Sequence, residues 1–420
     1  MNLAGTAERP KKNLSEILRG FACEWERPGS AGLFALILYG LLATARGEVL
    51  AASTVPYYNY LADAFLHGQL NFRLISPTIH DLVQYQGALY PYWGPLPAVL
   101  MMPLVLIGGV GVSDILFTVL IAAINVGLVA AVLRAAQGRG MLHLTSFTRG
   151  LLVLFFAMGT VHLVLAPMGR VWFTGQLIGF LFAGLAYWVA FALRGWKAFL
   201  LAGVAMACEV ATRNHMLLVG IFPAWYLLRE HWGLRWKQLI KLCLLAALPI
   251  LLMLALLGWY NWARFGNPLE VGLPYHNMAA NFLLEYERYG AFNLHYLPIN
   301  FYYQYIFYPF PFRTLSTMGG SLFLLSPLFF AALWALWQDR RSTGTWALLA
   351  AIVAVDIPIL LLMGTGWVQF GPRYSLDFTL PLLLLTGMGM RDWRGRIIAV
   401  LVAVSAIQYF AGFIFLSAQI

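Results

Sequence analysis

The side chains able to do chemistry are few and lie on one side of a series of apolar runs. Eight basic residues stand there, Arg46, Arg73, Arg170, Arg213, Arg264, Arg288, Arg313 and Arg373, and every one is an arginine. A planar guanidinium binds phosphate or carboxylate through paired hydrogen bonds, which a point-charge ammonium does not. Asp63 and His67 stand four apart, a helical ligand spacing, and His80 adjoins Asp81, so oxygen and nitrogen donors for a divalent ion are present. Isolated Asp and His pairs also serve as structural partners, and no set of metal ligands is assigned. Inside the runs, Glu209 precedes Arg213 by one helical turn, the order that favours an ion pair. Asp356 lies midway along its run, two residues before Pro358. An acid at that depth is either a proton relay or a hydrogen-bonded partner for groups that the proline frees.

Positioning these groups falls to apolar helices. Hydrophobic residues make up 61% of the 420 residues and charged residues 10%, against roughly 45–50% and about 25% in soluble proteins. Lipid is the solvent that accepts such a chain. Apolar runs predict spans near 31–45, 95–111, 114–133, 150–167, 175–193, 197–212, 214–228, 239–259, 320–337, 345–363, 376–390 and 397–417. The fold class is therefore all-α, a polytopic transmembrane bundle of about 11–12 spans. Pro95, Pro97, Pro103, Gly108 and Gly109 make 95–111 irregular, so a re-entrant course is expected there.

The net charge of +10 reflects topology rather than affinity for nucleic acid. The N-terminus and the linkers 134–149, 194–197, 229–241, 338–344 and 391–396 hold 19 of the 27 basic residues, including all five lysines. The positive-inside rule makes these segments and the N-terminus cytoplasmic. Residues 1–30 then form a cytoplasmic segment, with no apolar run to act as a signal peptide. Residues 31–420 form a single transmembrane domain with long outer loops at about 46–94 and 260–318. Cys23, Cys208 and Cys243 are too scattered to suggest a zinc site or a disulfide framework.

The first outer loop contains Tyr57 to Gly68, where Asn59, Asp63 and His67 make one polar stripe on a tyrosine- and leucine-rich helix. Such a helix is expected in the membrane interface. The second loop carries Asn261 to Glu270, then Tyr275 and His276, then the aromatic run from Tyr302 to Tyr308. A third, Gly366 to Tyr374, sets Arg373 and Tyr374 among glycines and a proline.

Tyr58 to Gly68, the run Tyr90 to Pro97, Arg213 at a span end, Tyr260 to Gly272 and Phe370 to Tyr374 together resemble the GT-C superfamily of integral membrane glycosyltransferases. The similarity is to bacterial relatives of protein O-mannosyltransferases and of the lipid A aminoarabinose transferase. It implies a sugar donor linked to polyprenyl phosphate, a lipid, glycan or protein acceptor, and an active site on the outer face of a bacterial-type plasma membrane, among membrane lipids. An acceptor hydroxyl needs a general base, and the departing lipid phosphate needs cations. Relatives carry the acid a few residues before the aromatic that opens the first interfacial helix. Here that stretch reads Ser53 Thr54 Val55 Pro56, without a carboxylate. Glu48 is the first choice as base, then Asp81 and then Asp63. Arg373 and Arg264 lead as phosphate ligands, followed by Arg213 and Arg170, with Tyr374, His276, Tyr58 and His80 as further donors. A transporter or lipid flippase and an O-antigen ligase or polymerase type enzyme are the rival readings, although no internal repeat of the kind that marks transporters is evident.

Overall fold

The structure is a computed structural model that describes residues 14–47, 49–312, 318–364 and 369–418. The first part of the chain comprises α1 (Leu14–Glu24), α2 (Pro28–Ala45), α3 (Tyr57–Leu66), the strands β1 (Leu82–Tyr85) and β2 (Ala88–Pro91), and α4 (Leu96–Gly108). The middle comprises α5 (Asp114–Gly138), α6 (Ser146–Met158), α7 (His162–Leu165), α8 (Val171–Ala192), α9 (Gly195–Val210), α10 (Ile221–Glu230) and α11 (Trp236–Phe265). The remainder holds α12 (Ala280–Tyr289), α13 (Leu297–Phe301), β3 (Met318–Gly319), α14 (Leu322–Leu325), α15 (Phe330–Gln338), α16 (Thr343–Leu361), β4 (Gln369–Phe370), α17 (Leu376–Gly389) and α18 (Gly395–Ser417).

Six of these helices, α2, α5, α8, α11, α16 and α18, are long and apolar enough to cross a membrane, and the chain is an integral membrane protein built as a helical bundle. Lipid tails are as apolar as leucine, so close backbone approach must hold such helices together. Gly32 of α2 and Gly127 of α5 supply it: a Cβ on Gly127 would lie 2.8 Å from the Pro28 carbonyl. Side-chain caps start the helices, Ser113 Oγ accepting from Leu116 N for α5 and Ser342 Oγ from Thr345 N for α16.

The segment around α4 enters and leaves at one end of the bundle. At its start Leu96 N donates to the Ala211 carbonyl, 3.2 Å away at the end of α9. Beyond it Asn59 Nδ2 donates to the carbonyls of Val110 and Val112, and Ser113 Oγ to that of Val49, just past α2. Both flanks of this short apolar helix are thus tied to the same end of the bundle.

The polar stripe on α3 is turned inward: Asn59 and Asp63 are buried with most of the helix and tie it to neighbouring chain. The first outer loop is not wholly helical: β1 and β2 form an antiparallel hairpin that pairs Leu82 with Pro91, and its turn, Gln86 and Gly87, takes positive φ at both residues. Asp356 is the hydrogen-bonded acid of the two readings: buried in the bundle, it accepts from Gln304 Nε2 and the Tyr305 hydroxyl at 2.6 and 2.7 Å. At the opposite end of the bundle, α1 is packed rather than free, since Ala22 and Trp25 are buried and Gly150 of α6 leaves no room for a Cβ beside the Ala22 carbonyl.

Candidate active site

The hairpin and the second outer loop build one wall at the end, or mouth, of the bundle to which both flanks of α4 are tied. Asp81 immediately precedes β1 and takes φ 60°, a conformation in which its backbone N donates to the Asn277 carbonyl at 3.0 Å. Asn277 N donates back to the Leu82 carbonyl, and His276 bridges Val83, so 276–277 lie along the hairpin edge. Trp172 Nε1 of α8 donates to Asp81 Oδ2 at 3.1 Å. Oδ1 lies 3.6 Å from His80 Nε2 and 3.7 Å from His276 Nε2, and the carboxylate keeps 20% of its surface. Burial pushes the His276 imidazole below its ordinary pKa, with Asp81 opposing the shift. Both of its ring nitrogens lack a hydrogen-bond partner.

Tyr92 links this wall to a cationic one. Leu82 and Pro91 are paired, so Asp81 and Tyr92 stand together at the base of the hairpin. Two residues on, Gly94 leaves no space for a Cβ against the Ala211 and Thr212 carbonyls, which draws the hairpin base onto the end of α9. Burial raises the Tyr92 phenol above its ordinary range; Tyr374 and Asp81 push it the same way, and Arg373 and Arg213 pull it back. The phenol is thus within electrostatic reach of all four.

The cationic wall is organised by a residue that the sequence reading passed over. Asp377, in the first turn of α17, is completely buried and accepts from Arg213 Nη2 at 2.7 Å, while His215 Nε2 lies 2.9 Å from the same oxygen. Gln176 Nε2 of α8 donates to its other oxygen at 3.2 Å and to the Arg373 carbonyl at 2.8 Å. The Arg213 stem lies over Gly179, and its guanidinium faces the Tyr374 ring with 5.5 Å to the centroid. Arg373 Nη2 donates to the Tyr374 hydroxyl at 3.2 Å, and its guanidinium lies 5.8 Å from the Phe173 ring. No ion pair to Arg373 occurs among the described residues.

The other named residues fall as follows. Glu48 lies outside the described residues. Asp63 accepts from Arg73 through both oxygens, at 3.0 and 3.1 Å, with His67 alongside. Arg264 is buried between the Tyr260 and Phe265 rings and donates to the Pro91 carbonyl at 3.0 Å and to Asn261 Oδ1 at 2.7 Å, so it steadies the hairpin base rather than facing the mouth. Arg170, just before α8, is within electrostatic reach of Arg46, whose Nη1 donates to Ser417 Oγ. The Tyr58 hydroxyl, buried and unpartnered, meets Gly175 beside Gln176 and acts electrostatically on Arg213. Asp81, Arg213, Arg373 and Tyr374 thus all act electrostatically on Tyr92, while His80 and His276 flank Asp81 and Tyr58 acts on Arg213. Asp63 is committed to Arg73 and Arg264 to the hairpin base. An acid in the first turn of an apolar run, four residues after Arg373, was the available signal for Asp377. Among the described residues, no group of three His, Cys, Asp or Glu side chains converges tightly enough to hold a metal ion.

No protein-family model matches the sequence, and no curated protein does. Among solved structures, the chain is similar to ArnT from Cupriavidus metallidurans bound to undecaprenyl phosphate, at 12% identity over 92% of this chain and 76% of that one, with a TM-score of 0.55. It is also similar to the oligosaccharyltransferase of Archaeoglobus fulgidus in its apo form, at 12% identity and a TM-score of 0.52, over 92% of this chain but 56% of the archaeal one. At such identity the likeness is one of architecture, and that architecture is the GT-C fold.

Proposed function

We propose that the chain is a membrane glycosyltransferase that moves a sugar from a polyprenyl-phosphate-linked donor to a lipid, glycan or protein acceptor. It works on the outer face of a bacterial-type plasma membrane, with its N-terminus in the cytoplasm. The observation that carries this reading is that one partly exposed carboxylate, Asp81, and two guanidiniums, Arg213 and Arg373, all act electrostatically on Tyr92 at one end of a GT-C bundle. The undecaprenyl phosphate bound to the similar ArnT supports a lipid-phosphate donor.

In this reading Asp81 accepts the proton of the acceptor hydroxyl as that oxygen attacks the anomeric carbon. The bond from that carbon to the phosphate oxygen breaks, and its electron pair leaves with the polyprenyl phosphate. Arg373, Arg213 and the Tyr374 hydroxyl stabilise the charge that develops there. Trp172 fixes one Asp81 oxygen and leaves the other for the acceptor. Direct displacement of this kind inverts the anomeric centre. Glu48 is the alternative base, whereas Asp63 has both oxygens committed to Arg73.

Proteoliposomes supplied with a panel of undecaprenyl-phosphate sugars and an envelope lipid extract as acceptor test the assignment by donor consumption. Asp81→Asn should abolish consumption while the protein remains folded. Full activity in Asp81→Asn with loss in Glu48→Gln moves the base to Glu48. Full activity in both variants and in Asp63→Asn refutes carboxylate catalysis from this loop.

A further inference from the structure

Glu209 is fully buried, and neither of its side-chain oxygens has a hydrogen-bond partner. It lies in the last turn of α9, where its carbonyl accepts from Thr212 N and Arg213 N at 2.9 and 2.8 Å. Spacing alone pairs it with Arg213, yet that guanidinium reaches forward to Asp377 instead. Asp377 is already served by Arg213, His215 and Gln176, whereas Arg213 Nε is buried and unpartnered. One guanidinium thus stands between a fully bonded acid and an empty-handed one.

The charged groups acting on Glu209 are Asp377 of α17 and Arg213. Around them stand His215 on Asp377 and the phenols of Tyr58 and Tyr374 near Arg213, while Arg373 lies against Tyr374. On the neighbouring α11, Arg264 and Tyr260 are stacked on each other. A buried carboxylate without a donor is strongly disfavoured unless it is neutral or finds a cation. If it ionised, the nearest cation would be the one the donor phosphate needs.

We propose that Glu209 is a positioning residue that acts in its neutral, proton-bearing form, leaving Arg213 on Asp377 and turned to the donor phosphate. Ionisation of Glu209 draws the guanidinium back and weakens the phosphate site. This role rests on the reading of Arg213 as a phosphate ligand.

Infrared difference spectra of the full-length protein in nanodiscs, wild type minus Glu209→Gln, read the carboxyl directly and without reference to activity. A protonated-carboxyl band at neutral pH supports the proposal, and carboxylate bands in its place overturn it. Undecaprenyl phosphate affinity is then followed from neutral to alkaline pH. Wild type should weaken by about tenfold or more as Glu209 ionises, Glu209→Gln should stay within about twofold, and Asp377→Asn should be weak throughout. Glu209→Met, similar in size and uncharged, carries the same expectation if the glutamine variant does not fold. An equal alkaline loss in these neutral variants overturns the role of Glu209 and leaves the clamp standing. A wild type that binds no undecaprenyl phosphate at any pH overturns the clamp itself, and this role with it.

Discussion

Asp81 and Asp377 belong to the same mouth but are held in opposite ways. Asp377 has no exposed side-chain surface and is bonded by three groups from two parts of the chain, Arg213 and His215 after α9 and Gln176 of α8. Asp81 keeps a fifth of its side-chain surface, takes one indole donor, and leaves two imidazoles just beyond hydrogen-bond range. A carboxylate whose lone pairs are all committed is a structural anchor. One with a free oxygen beside water can take a proton. Asp63 follows the first pattern from within the same loop as Asp81.

The largest expected difference lies in catalysis. Asp81→Asn should lower kcat by roughly 10²–10⁴-fold, the usual worth of a general base, with little change in thermal unfolding. Asp377→Ala should reverse that profile: removing one partner of a buried ion pair costs about 3–5 kcal/mol, read as a large fall in Tm in detergent. Equal loss of stability in both variants would erase the contrast. Arg373→Ala should weaken undecaprenyl phosphate binding by about 1.5–3 kcal/mol, the range of a hydrogen bond to a charged group, with unfolding unchanged.

Smaller effects sharpen the comparison. Arg73 is partly exposed, so Arg73→Ala should lower Tm less than Asp377→Ala does, and kcat should hold because the carboxylate it frees stands on α3 rather than at the hairpin base. His276 supplies a pH test. Burial lowers its pKa, so the folded protein binds this proton less readily than the unfolded chain. Its unfavourable contribution therefore begins as pH falls through the unfolded value of about 6.5 and is absent above it. Wild type should lose more stability on acidification than His276→Gln, as read by Tm at mildly acidic and neutral pH.

Apolar runs carried most of the fold. The run at 114–133 became α5 and the run at 397–417 became α18, because lipid demands long apolar helices and leaves few alternatives. The hairpin was harder to see, since strands of four residues leave little alternation to read. At the proposed site, residue type and the GT-C resemblance drew attention to Asp81, after Glu48, and to His276, Arg213, Arg373 and Tyr374. The Asp377 network was not legible, as Arg213 and Asp377 are 164 residues apart and only packing of α9, α8 and α17 brings them together. The Glu209–Arg213 spacing misled for the same reason: a local partner lost to a distant acid.

The central claim is that the two walls around Tyr92 form one site for a lipid-linked phosphate. A cryo-EM structure of the protein in nanodiscs with undecaprenyl phosphate tests it most directly. The phosphate is expected within hydrogen-bond range of Arg373 and Tyr374, beside Arg213, with Asp81 open across Tyr92. A phosphate seated instead between Arg46 and Arg170, away from Tyr92, would contradict it.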